Sequence, residues 1–161
     1  MKRFTIGITT HNESASIDVL LNDLYKFSPD EVDIVLYDDR SDDDTVAKVK
    51  AHPISVLPHF HAEFSDTNYG TPSVGRTYIG QNAKTEYTAL IDGDDFVDVG
   101  EFRRLISDAP SGYDMIVTTF LLRDKEVAFG ADRVAFKLDN DSVMRVLSGI
   151  GGKLYRSSLL A

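Results

Sequence analysis

Asp33-Ile34-Val35-Leu36-Tyr37, followed at once by Asp38-Asp39-Arg40-Ser41-Asp42-Asp43-Asp44, is the stretch on which the fold turns. Four apolar residues in a row suit a strand covered on both faces, as in parallel sheets whose crossovers are helices. The abrupt change to carboxylates marks the strand's end at a surface. On the N-terminal side, Phe4 to Thr9 reads as another short strand. His11-Asn12-Glu13-Ser14 then reads as a helix start, and Ile17, Leu20, Leu21, Leu24 and Phe27 follow at helical spacing until Pro29. On the C-terminal side, a short helix is expected over Thr45 to Ala51, before Pro53, and a third strand over Ile54 to Phe60. Thr71-Pro72 is a cap and first turn for a helix through Asn82. Tyr87 to Ile91 repeats the buried-strand pattern and runs into Asp92-Gly93-Asp94-Asp95.

Further along, a helix is expected from Val99 to Ser107, with Phe102, Leu105 and Ile106 on one face, and a strand from Met115 to Leu122. Val127, Phe129, Val134 and Phe136 alternate about Gly130-Ala131-Asp132, which reads as a hairpin. A last short helix is expected from Asp141 to Leu147. The order βαβαβαβα, then a more antiparallel end, implies an α/β fold. Its open, mostly parallel sheet would carry helices on both faces and a small antiparallel hairpin near the C-terminal end. No repeat, linker or low-complexity stretch divides the chain, so residues 1–161 read as one domain.

Composition narrows the function. The 161 residues are 42% hydrophobic and 27% charged, ordinary for a soluble globular protein. There is no cysteine, so thiolate metal ligation and disulfides are excluded; this fits a reducing, cytoplasmic setting. No signal-peptide h-region and no run of membrane-spanning length is present. The net charge of −9 disfavours nucleic acid, which needs basic surface.

In open sheets of this kind, ligands bind beyond the carboxyl ends of the strands. Three segments fall there: Thr9-Thr10-His11-Asn12-Glu13, the acidic run from Asp38 and the acidic run from Asp92. So many carboxylates on one edge repel one another unless a cation joins them. Oxygen-only ligands suit Mg2+ or Mn2+, which would also bridge a ligand diphosphate. Simpler readings exist for parts of this set. Asp42, Asp43 and Asp44 suit a helix N-terminus, where free amides and the dipole stabilise carboxylates. Asn12 and Glu13 suit a helix cap, and Asp92-Gly93-Asp94-Asp95 suits a solvated turn. His59 and His61 alternate along the expected third strand and read as exposed surface on one face.

The ordered segments resemble a known family. Thr10-His11-Asn12-Glu13-Ser14 is similar to the opening Thr-x-Asn-Glu of the inverting family 2 glycosyltransferases, which have the GT-A fold. Val35 to Thr45 resembles that family's Val-Asp-Asp-Gly-Ser-x-Asp-x-Thr. Asn68-Tyr69-Gly70 and the helix carrying Arg76 resemble its Asn-x-Gly and Ala-Arg-Asn. Glu86 to Asp95 resembles its Glu-Tyr-Ile-x-x-Leu-Asp-x-Asp-Asp, the DXD motif. Gly152-Lys153-Leu154-Tyr155-Arg156 resembles its Gly-Lys-Leu-Tyr-Arg, near the acceptor region.

The resemblance implies a metal-dependent, inverting transfer from a nucleotide-sugar, a UDP-sugar first, to the hydroxyl of a carbohydrate or glycoconjugate acceptor. It implies that Thr9, Thr10, His11, Asn12 and Glu13 contact base and ribose, and that Asp38 or Asp39 accepts the uracil N3–H. Arg76 would lie near the donor phosphates or sugar, and Asp94 would contact ribose or the donor sugar. Asp95, with Asp94, would meet Mn2+ or Mg2+, and Asp92 would support the cluster. Three departures stand out. Arg40 replaces the usual Gly, and Thr77 replaces the Asn after the Arg. The family's catalytic base follows the Gly-Lys-Leu-Tyr-Arg segment, whereas the carboxylates of Asp139 and Asp141 precede it. The catalytic base therefore stays unassigned. An alternative reading is a donor-binding module, inactive alone or paired with a second copy as a homodimer. A sugar nucleotidyltransferase would want a Gly-rich, Arg-containing loop after the first strand. A phosphatase-like hydrolase would want an aspartyl nucleophile there. Thr9 and Thr10 occupy that place.

Overall fold

The computed structural model describes residues 4–117, 134–136 and 153–160. The elements run β1 (Phe4–Thr10), α1 (Ile17–Leu24), β2 (Val32–Asp38), α2 (Thr45–Ala51), a 3-10 turn (Pro53–Val56) and β3 (Phe60–Phe64). Next come α3 (Pro72–Asn82), β4 (Tyr87–Asp92), α4 (Val99–Asp108), β5 (Met115–Val117), β6 (Val134–Phe136), β7 (Lys153–Arg156) and a 3-10 turn (Ser157–Leu159).

The strands form one seven-stranded sheet in the order β3-β2-β1-β4-β7-β5-β6. The first four are parallel, as the βαβ reading requires, and β7, β5 and β6 join antiparallel. The chain steps outward from β1 to β2 and β3, then returns to lay β4 on the other side of β1. This reversal is the switch point at which open sheets leave a crevice. Register sharpens it: Thr10 pairs with Asp38, and Thr9 with Asp92. The ends of β1, β2 and β4 are therefore level, and their loops rise side by side.

Helices cover both faces. On one, Ile6, Ile8, Ile34 and Leu36 pack with Ile17, Leu20, Leu21 and Leu24 of α1 and Leu105 of α4. Each fully buried Leu or Ile contributes roughly 1.5–3 kcal/mol. On the other face, Val35 and Leu90 meet Ile79 of α3. α3 lies unusually close to β1. A Cβ on Gly7 would come within 2.3 Å of Ile79 Cγ2, and one on Gly75 within 2.8 Å of Tyr37 Cδ1. Glycine at both positions is what lets this helix reach the sheet.

Two expectations are corrected. Ile54 does not begin a strand: Pro53 sets a 3-10 turn, His52 Nδ1 accepts from the Ile54 N–H at 3.1 Å, and β3 starts only at Phe60. His59 and His61 therefore do not share a strand face. His59 precedes β3 and is buried, its carbonyl accepting from the Ile34 N–H at 2.7 Å, while His61 is exposed. The Gly-Lys-Leu-Tyr-Arg segment supplies an interior strand, with Leu154 buried opposite Ala89. The expected antiparallel end is present as β5 and β6. The 130–132 turn with Val127 and Phe129, the strand residues 118–122, the 141–147 helix, Asp139 and Asp141 lie outside the described residues.

Candidate nucleotide-binding cleft

The loops after β1, β2, β3 and β4 enclose a cleft of about 410 Å3. Thr9, Thr10, His11, Glu13, Asp39, Arg76, Asp92 and Asp94 line it, with Tyr37, Asn68, Gly70, Thr71, Pro72 and Gly75. Eight of the expected site residues thus meet in one place.

The two carboxylates after β2 have separate jobs. Asp38 is 1% exposed, and its oxygens accept from Thr10 Oγ1 (2.8 Å), Ser41 Oγ (2.6 Å) and the Ser41 N–H (2.8 Å). These bonds make it the structural fastener between β1 and the turn after β2. Asp39 faces the cleft. Its carboxylate accepts from the backbone N–H groups of Tyr69 (3.0 Å) and Gly70 (3.0 Å), while its own N–H donates to the Thr10 carbonyl. A carboxylate offers about four acceptor positions, so these bonds aim it without exhausting it.

Asn12 and Arg40 both adopt positive φ, 58° and 56°. Asn takes that conformation comparatively easily, and here Asn12 Oδ1 accepts from the Asp42 N–H at 2.9 Å. Arg40 adopts what glycine would take freely, so the departure at this position leaves a left-handed turn in place. Asp43 accepts from the Ser14 N–H and from the N–H and Oγ1 of Thr45. Partial burial works to raise its carboxyl, but the bonds from Thr45 and Ser14 outweigh it and hold the carboxyl well below the usual range. The helix-start reading of Asp43 therefore stands, with the addition that it also ties α2 to the loop after β1.

After β4, Asp92 Oδ1 accepts from Thr9 Oγ1 (3.0 Å) and pairs with Arg76 Nη2 (3.2 Å). Part of the charge crowding is thus relieved by a side chain, a cation the acidic pattern did not reveal. Asp94 opens on the cleft. Asp95 is exposed and lies outside the cleft lining, its Oδ2 accepting from the Asp92 N–H at 3.0 Å; partial loss of solvent around its carboxyl pushes it up. Burial, and then the Asp94 charge, likewise push Glu13 up. Gly93 permits this crowding, since a Cβ there would stand 2.7 Å from Thr10 Cγ2. Among the described residues, no three carboxylates or histidines converge closely enough to hold a metal by themselves.

Sequence reasoning missed Tyr37, which reads as core because it lies within an apolar run. It gave Asn68 no role, although Asn-x-Gly before a helix was the available signal. Thr77 borders a separate groove lined by α3 and by Tyr37 of β2.

The chain belongs to glycosyl transferase family 2, whose profile matches residues 5–150. A curated relative, the poly(ribitol-phosphate) beta-N-acetylglucosaminyltransferase TarS of Staphylococcus aureus (strain Mu50 / ATCC 700699), is 28% identical over 171 residues. That match covers 99% of this chain and 28% of TarS, so the chain spans little more than a quarter of that relative's length. Crystal structures of S. aureus TarS show the same fold. One in complex with UDP superposes with a TM-score of 0.70 at 23% identity, covering 98% of this chain and 48% of that one. One in complex with UDP-GlcNAc gives 0.71 at 23%, covering 98% and 46%. A mannosyltransferase from Pyrobaculum calidifontis, in complex with GDP-Man and Mn2+, gives 0.58 at 19%, covering 70% and 34%. No helix among the described residues is long and apolar enough to cross a membrane.

Proposed function

We propose that this chain carries the donor site of a glycosyltransferase that moves a sugar from a UDP-sugar to an acceptor hydroxyl of a carbohydrate or glycoconjugate. The observation that carries the reading is Asp39, an ionisable acceptor aimed by two backbone N–H groups at the rim of a cleft that also holds Arg76 and Asp94. Uracil presents a donor at N3, and cytosine does not. An acceptor-only carboxylate at that point therefore selects UDP. Arg76 faces the diphosphate, and Thr9, Thr10, His11 and Glu13 border base and ribose. The TarS complexes with UDP and UDP-GlcNAc support this donor class.

The donor set suits a hard divalent cation. Asp94 and Asp95 would hold Mn2+ or Mg2+, which usually takes one or two carboxylates and completes its shell with substrate phosphates and water. Such an ion, when bound, offsets charge on the departing diphosphate. The protein's own share is to orient the nucleotide through Asp39 and to hold Asp92 through Thr9 and Arg76. Transfer with inversion is a direct displacement. It needs a base on the acceptor side, a contribution of about 10²–10⁴-fold.

Calorimetry tests the donor site. UDP binds with Mn2+ and loses affinity in chelator or in Asp95→Ala. CDP binds at least about tenfold more weakly, because an unpaired buried polar group costs roughly 1–3 kcal/mol. Equal affinity with and without metal removes the cation from the proposal, and equal affinity for UDP and CDP removes Asp39 as the base reader. Incubating the chain with UDP-sugars and acceptors, and following UDP release against glycosylated product, separates transfer from donor binding alone.

A further inference from the structure

His11 stands where three loops meet. Its Nδ1 lies 3.0 Å from the backbone carbonyl oxygen of Asp39. A carbonyl can only accept, so the hydrogen of this bond sits on Nδ1. The other ring nitrogen, Nε2, lies 3.3 Å from Nδ2 of Asn12 and 3.4 Å from Nδ2 of Asn68. The orientation of each amide is set by a different bond. Asn12 Oδ1 accepts from the Asp42 N–H at 2.9 Å, and Asn68 Oδ1 accepts from the Gly70 N–H at 2.7 Å. With both oxygens engaged by backbone N–H groups, both NH2 groups turn to Nε2, which must then be the acceptor. The two sides of the ring require one and the same state: neutral imidazole with its hydrogen on Nδ1.

We infer that His11 is a positioning residue of this cleft, a neutral Nδ1–H imidazole that ties the loops after β1, β2 and β3 and thereby aims the Asp39 carboxylate. The inference rests on the base-reading role proposed for Asp39. The peptide groups on either side of Asp39 are held from two directions: its N–H by the Thr10 carbonyl and its C=O by His11. Its carboxylate is held by Tyr69 and Gly70, in the loop that also carries Asn68. Removing the ring releases the Asp39 carbonyl and two amide groups together. The wall that sets the angle of the carboxylate then relaxes. Both ring nitrogens are engaged by the protein, so His11 presents carbon surface to a ligand, and polar selection stays with Asp39.

Two measurements test this. In the nucleotide-free chain near pH 8, above the ordinary imidazole range, long-range nitrogen–proton NMR correlations should place the His11 hydrogen on Nδ1. In binding assays, His11→Phe keeps a flat ring and removes both nitrogens, whereas His11→Asn keeps an N–H close to the place of Nδ1. His11→Phe should lose UDP affinity by roughly two- to tenfold, the scale of the net contribution of an ordinary intramolecular hydrogen bond, and its preference for UDP over CDP should fall toward parity. His11→Asn should retain most of that preference. A ring serving only as a stacking surface would leave affinity and preference intact in His11→Phe, and that result overturns the inference. A hydrogen found on Nε2 overturns it too. If the unaltered chain shows no preference for UDP over CDP, base reading by Asp39 is what fails. The tautomer, measured without nucleotide, still decides whether the tie exists.

Discussion

Arg40 holds a φ of 56° at an exposed position in the turn that carries Asp38 and Asp39. A side chain there crowds the following carbonyl, at a cost of roughly 1–2 kcal/mol. Glycine removes that cost but frees the unfolded chain, which returns about 0.4–1 kcal/mol. Arg40→Gly should therefore raise stability modestly, by up to about 1.6 kcal/mol by that difference, with UDP affinity unchanged; chemical denaturation and calorimetry check the two halves. A loss of stability would mean that the Arg40 side chain contributes more than its backbone costs. The same turn shows how far residue-scale reading reaches. The Asp38-Asp39 pair is visible in the sequence as acceptors near a strand end. Which one faces the cleft is not visible, because it depends on Thr10 Oγ1 arriving from another strand to engage Asp38.

Among the elements, α4 is fastened to the loop before β2 by Glu31 and Arg103. Arg103 Nε lies 2.5 Å from Glu31 Oε1, Nη2 donates to Oε2 (3.1 Å) and to the Lys26 carbonyl (2.8 Å), and the guanidinium lies over Phe27. The bond from Arg103 lowers the Glu31 carboxyl from 4.5 to about 2. A carboxyl lowered by folding stabilises the native state above its unfolded value and loses that contribution as pH falls through its folded value. The difference in urea midpoint between the unaltered chain and Glu31→Gln should be full above pH 4.5, then close as pH approaches about 2. A difference independent of pH would show that the clamp acts through packing alone. The placement of α3 rests on a different device. Gly7, Gly75 and Gly80 clear its path, with a Cβ on Gly80 coming within 2.3 Å of the Leu160 backbone. The helix itself is legible from Thr71-Pro72, where Thr71 accepts from the Ser73 N–H. Its depth against the sheet is not, since close approach leaves no periodic signal.

For the whole molecule, the four loops of the cleft come from segments far apart in the chain, so a ligand bridging them should stabilise the fold as a unit. UDP with Mn2+ at about a hundred times its Kd adds roughly 2.7 kcal/mol. For a chain of this size, that is a rise in Tm of about 5–10 °C. Chelator should cancel most of it, and an unchanged Tm would mean that the folded chain does not bind UDP with Mn2+. By itself the sequence determined the alternation of elements, the parallel half of the sheet and the acidic strand ends, because local periodicity and abrupt polarity changes are written residue by residue. It also carried the family, which the match over residues 5–150, spanning the first four of the ordered segments, bears out. Only the tertiary structure decided that Arg76 neutralises Asp92, that Asp38 is structural while Asp39 faces the cleft, that Tyr37 belongs to the cleft and that Lys153–Arg156 enters the sheet between β4 and β5. Each of these depends on a partner brought from a distant segment by strand register, and neither spacing nor composition encodes which distant residue will arrive.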